Sequence, residues 1–110
     1  MIDDRIQEIE ARLKESANIP EAARAELLKL LASLKDEVAT LARSHEEDAR
    51  SIAKFMDASA HEATRAEKKP KLIEASLNGL TASVEAIEAS HPKLAEVVNQ
   101  IAVRLSNMGI

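Results

Sequence analysis

A chain of 110 residues, 45% hydrophobic and 31% charged, has room for one domain, and without cysteine it has neither disulfides nor thiolate chemistry. A net charge of −4, a single aromatic residue and no basic stripe exclude the phosphate contacts and stacking platforms of nucleic-acid binding. Twenty alanines against two glycines and three prolines make nearly every window favour helix, so the predicted fold is all-α, a single helical domain over residues 1–110.

The N-terminus, MIDDRIQEIE, opens on acids rather than on a basic segment followed by an apolar one, and no stretch reaches the ~20 apolar residues of a spanning helix. The expectation is a cytoplasmic protein with no integral membrane segment. Ile2, Ile6, Ile9 and Leu13 recur at spacings of four, three and four, and Glu8/Arg12 and Glu10/Lys14 add i,i+4 pairs, which predicts a first amphipathic helix over about 2–17. Asn18 with Glu21 three residues on resembles a capping box, and Pro20 suits the first turn of a second helix.

From residue 21 to 69 there is neither Gly nor Pro. Leu27, Leu31, Leu34, Val38 and Leu41 follow heptad spacing, and the same seam continues through His45, Asp48, Ile52, Phe55 and Ser59, where it loses its apolar character. The spacing predicts a helix over about 20–67. One continuous helix of that length is ~70 Å long, far beyond a compact domain, so either the molecule is elongated or the helix breaks near RSHEEDARS.

Past Lys68-Lys69-Pro70-Lys71, a basic run read as a solvated turn, one heptad phase joins Ile73, Leu77, Leu80, Val84 and Ile87 to Leu94, Val98, Ile101, Leu105 and Met108. Helices over about 70–90 and 92–108 are predicted. Gly79 leaves the phase intact, so it belongs outside or at a close helix contact, whereas Pro92 pushes His91 out of the helical region and breaks the chain at Ser90-His91. At the end, Gly109 in a left-handed conformation would let Ile110 fold back on Leu105 as a Schellman cap.

Three histidines are the candidates for chemistry. Glu88-x-x-His91 has the spacing of di-iron bundles, which need two such pairs and two further glutamates, and only one pair is present. His45 stands on the polar part of the seam beside Glu46, Glu47 and Asp48, and reads as a half-exposed polar residue, while His61-Glu62 lacks the second histidine of a zinc-protease helix. With no nucleophile beside a base, no Gly-rich phosphate loop and little concave volume in a slender hairpin, no catalytic, cofactor-binding or metal residue is assigned, and the chain reads as a non-enzyme.

The last forty residues, above all VEAIEASHPKLAEVVNQIAVRLSNMGI, resemble the bacterial family known as domain of unknown function 4404. The resemblance is carried by Ser90-His91-Pro92 after an acidic-apolar helix and by the terminal Ser106-Asn107-Met108-Gly109-Ile110. It implies a small bacterial cytosolic protein of uncharacterised activity, with no catalytic residues, cofactor or substrate to carry over.

The architecture expected from these readings is an elongated antiparallel helical hairpin, or coiled coil, with a small bundle at one end. Leu27, Leu31, Leu34, Val38 and Leu41 pack there with Ile6, Ile9, Leu13, Val98, Ile101 and Leu105, and residues 44–69 form a two-helix arm. So thin an arm leaves seams in water, and the expected outlet is a homodimer formed through Ile52, Phe55, Met56, Ile73, Leu77 and Leu80, with a protein partner as a further possibility. The alternatives are a peripheral membrane-surface or stress-response helix protein using Leu94–Ile110, whose polar face carries few cations, and a small enzyme or metal protein with a site shared between subunits.

Overall fold

The computed structural model describes residues 2–17 and 19–109. They form five helices, α1 (Ile2–Glu15), α2 (Glu21–Ala42), α3 (Glu46–Thr64), α4 (Pro70–Glu85) and α5 (Pro92–Gly109), and no strand occurs among the described residues. Ile6, Ile9 and Leu13 of α1 are buried, as their spacing demands. The chain turns after α1 around Arg24, whose guanidinium donates to the Ser16 and Ile19 carbonyls and pairs with Glu21. A cation on carbonyls left over at a helix end satisfies acceptors that have no partner in the helix itself. Pro20 stands just before α2, while Asn18, the expected capping residue, lies outside the described residues.

The long helix expected over 20–67 is two helices. It breaks at Arg43-Ser44-His45, where the Ser44 and His45 amides both donate to the Leu41 carbonyl at 3.1 and 2.8 Å. The break rotates the inward face, so the seam does not run on through Asp48 and Phe55. In α3 the buried positions are Ala49, Ile52, Ala53, Met56, Ser59, Ala60 and Ala63, a face made mostly of alanine. Small side chains let neighbouring backbones approach closely, and α3 packs against all four other helices.

Pro70 occupies the first turn of α4, where its missing amide costs no hydrogen bond. The helix ends at Glu85, earlier than the predicted residue 90; turns over 86–90 follow, and α5 opens at Pro92, so the break at Ser90-His91 is where proline chemistry puts it.

Helices α2, α3, α4 and α5 form a ring in which each touches the next and α5 touches α2, with a diagonal α3–α5 contact; α1 lies against α2 and α3. Short connections at 43–45, 65–69 and 86–91 make successive helices run up and down as in a four-helix bundle. One buried cluster spans all five helices, from Ile6 and Leu13 through Leu27, Leu34 and Leu41 to Ile52, Leu80, Val98 and Leu105. The molecule measures 37 × 24 × 21 Å with a radius of gyration of 12.9 Å, so the elongated hairpin is corrected to a compact bundle. Residues 44–69 are no bare arm, because the alanine face of α3 carries them into the core.

The C-terminal cap also differs from expectation. No described glycine has a positive φ, and α5 continues as helix through Gly109, while Ile110 lies outside the described residues. A terminal carbonyl of α5 is met instead by Lys68, whose Nζ donates to the Met108 oxygen at 2.8 Å. The basic run before α4 thus supplies a cation at the negative end of another helix.

Candidate functional site

The six residues expected at an interface divide. Ile52, Met56, Ile73 and Leu80 are buried inside the protomer, because α4 packs directly on the face that α3 turns inward, and they are corrected from interface to core. Leu77 is half-buried and Phe55 is exposed. Phe55 lies over Gly79, where a Cβ would come within 2.4 Å of the ring, so Gly79 marks a close helix contact as its phase suggested.

On α5 the broad apolar face of Leu94, Val98, Ile101 and Leu105 is buried in the bundle, so it is not available to a lipid surface. Its outer side carries Val103, 59% exposed, the most open of the three exposed large hydrophobic residues among those described. Asn99, Val103 and Asn107 fall at i, i+4 and i+8, with Gln100 beside them, forming an uncharged ridge on a chain rich in charge. A groove runs along each side. One, between α4 and α5, is lined by Ile73, Leu77 and Ala102 with Glu74, Asn78, Thr81 and Ser106, and is bordered by Val103 and Asn107 of the ridge. The other reaches towards α2, where Arg104 pairs with Glu26 at 3.7 Å, and includes Pro92, Ala95 and Asn99.

The histidines are placed in a way their separate readings did not suggest. His61 is exposed on α3 beside Glu62. His45 and His91 come together at one end of the bundle, with ring centroids 5.8 Å apart and planes inclined at 78°. Each ends a turn of the same construction. The His45 amide donates to Leu41 and the His91 amide to Ile87, both at 2.8 Å, and each histidine carbonyl accepts from an alanine four residues on, Ala49 at 3.0 Å and Ala95 at 3.2 Å. Ser44 Oγ is hydrogen-bonded to His45 Nδ1 at 2.8 Å, and Ser90 Oγ to His91 Nδ1 at 3.0 Å. The sequence signal for this pairing is the repeated Ser-His dipeptide, each copy with an aliphatic residue four before the histidine and an alanine four after it. Among the described residues no group of three or more His, Asp or Glu side chains is arranged to hold a metal ion.

The family model described as Domain of unknown function (DUF4404) matches residues 27–110, and the chain belongs to that family. No curated protein and no solved structure matches it.

Proposed function

We propose that this member of the family is a non-enzymatic helical interaction protein that works as a homodimer through the outer ridge of α5. The observation that supports the reading is Val103, open to solvent at the centre of an uncharged ridge with a groove on either side. An apolar centre among uncharged side chains, with charge kept to the flanking grooves at Glu74 on one side and Glu26, Glu88, Glu96 and Arg104 on the other, is the pattern of an interface core inside a polar rim. A ridge of i, i+4 residues beside a groove is also self-complementary. Under a twofold axis the ridge of one copy enters the groove between α4 and α5 of the other, and the same contact is made in return. This site moves the expected dimer contact from the α3–α4 side to α5 and keeps Ile73 and Leu77 of the six residues, as part of the groove lining.

No described helix is long and apolar enough to cross a membrane, and a chain without cysteine suits the reducing cytoplasm in which we place it. Light scattering at tens of micromolar is the test. A dimer is expected for the wild type and a monomer for Val103→Asp, which puts a charge where the ridge would be desolvated. Phe55→Ala should leave the dimer intact. A monomeric wild type would overturn the proposal, and dissociation by Phe55→Ala but not by Val103→Asp would move the interface to the α3–α4 side.

A further inference from the structure

We infer that His45 and His91 form a two-histidine site for a divalent transition metal ion at the end of the bundle where α2 meets α3 and α4 meets α5. The inference does not depend on the α5 interface, which lies along the side of the molecule.

The argument begins with distance. At metal–nitrogen bonds of ~2.0–2.1 Å, two imidazoles on one ion have centroids roughly 4.5 to 5.5 Å apart. The rings of His45 and His91 stand at 5.8 Å, close enough for side-chain rotation alone to converge them. Both residues sit in the turns rather than inside a helix, His45 exposed and His91 half-buried, so the rings can turn without disturbing the core.

The second part concerns which nitrogen is offered. Each Nδ1 is hydrogen-bonded to the hydroxyl of the preceding serine, and in the tautomer in which Nδ1–H donates to that oxygen, Nε2 keeps its lone pair and is the ligating atom on both rings; Ser90 Oγ already donates to the Ile87 carbonyl, which suits it to accept from His91. A ligand histidine held through its other nitrogen is the usual arrangement at metal centres, because the bond selects the tautomer that presents the ligating nitrogen, and each serine can follow its ring through the small rotation that convergence needs. Here that support is built twice, by the same dipeptide in the same turn, on two connections 46 residues apart in sequence that the bundle closes onto each other. Chance placement of a surface histidine does not account for two matching serine contacts.

The chemistry narrows the ion. With imidazole as the only protein donor, and no third His, Asp or Glu completing a set among the described residues, water or an outside ligand fills the remaining positions. Such a site suits Cu(II), Ni(II) or Zn(II), which accept imidazole readily, and not Mg(II) or Ca(II), which need oxygen ligands. Along the first-row series Cu(II) should bind most tightly.

The full-length chain titrated with Ni(II) and, separately, with Cu(II) tests the inference by calorimetry and electron paramagnetic resonance. One ion per chain is expected, with two imidazole nitrogens in the Cu(II) spectrum. His45→Ala and His91→Ala should each weaken binding by about 100-fold or more, and the serine variants Ser44→Ala and Ser90→Ala by a smaller factor, nearer the lower end of the ~10–100-fold range of such supporting contacts. His61→Ala should change nothing. Circular dichroism checks that every variant is folded, and the nitrogen count on the wild type stands whether or not a variant folds. A Cu(II) spectrum with fewer than two imidazole nitrogens, or full affinity after loss of His45 or His91, would overturn the site.

Discussion

Gly79 and Phe55 offer a measurement in which two opposing effects can be separated. A glycine in the middle of α4 costs about 1 kcal/mol relative to alanine, through backbone entropy. Gly79→Ala should recover that amount if nothing else changes. In this chain the new methyl would lie 2.4 and 2.5 Å from the Cε1 and Cδ1 atoms of Phe55, against a comfortable separation of about 3.5–4.0 Å, so the ring must swing outward by about 1 Å or more. Phe55 is 40% exposed, so somewhat over half of the roughly 1.5–3 kcal/mol of a fully buried side chain, about 1–2 kcal/mol, is at risk. Because the ring has solvent on one side it can move, and the net effect of Gly79→Ala in the wild type should fall between neutral and about 1 kcal/mol destabilising. Once Phe55→Ala has removed the ring, the same substitution should stabilise by about 1 kcal/mol. Urea denaturation followed by circular dichroism on the four proteins gives the coupling directly, expected at about 1–2 kcal/mol. Additivity within ~0.3 kcal/mol would refute the contact.

Ser59 is fully buried on α3 and its hydroxyl has no hydrogen-bond partner among the described residues, so Ser59→Ala should raise stability by about 1–3 kcal/mol in the same denaturation experiment. Lys68→Met keeps an unbranched side chain but removes the donor to the Met108 carbonyl; it should fray the last turn of α5, read as faster amide exchange there, at a cost of about 0.3–1 kcal/mol. Gly109→Ala should be neutral or slightly stabilising by thermal melt, because Gly109 is helical, and a loss of about 1–2 kcal/mol would restore the left-handed cap.

How far the fold could be read from the sequence depended on which side chains built each element. The apolar faces of α1, α5 and the leucine face of α2 were legible because large aliphatic residues carry an unmistakable helical period. The break at Arg43-Ser44-His45, at the head of RSHEEDARS, was legible only as the alternative to an elongated molecule, from the length one helix would need, since it contains neither Gly nor Pro and is made by backbone and serine hydrogen bonds. The inner face of α3 was misread for a different reason. Ala49, Ala53, Ala60 and Ala63 are ambiguous in a chain with twenty alanines, and following the larger residues alone carried the α2 seam past the break onto the wrong face. That error made Ile52, Met56, Ile73 and Leu80 look unburied. Val103 stands out in retrospect as an aliphatic residue of α5 off the buried phase. The pairing of His45 with His91 needed the closed bundle, although the repeated dipeptide was already visible.

The two Ser-His turns divide the bundle into halves of like design. The α2–α3 hairpin and the α4–α5 hairpin are each closed by their own turn at one end of the molecule, and residues 65–69 are the covalent link between them at the other. The contacts that join the halves are lateral: α3 lies against α4, its neighbour in the chain, while α2 with α5 and α3 with α5 pair helices that are not consecutive. A nick at 65–69 therefore removes no turn and no helix, and leaves two hairpins whose alanine and leucine faces still match. In topological terms helices α2–α5 are a pair of docked hairpins on a short tether, with α1 laid across the first of them.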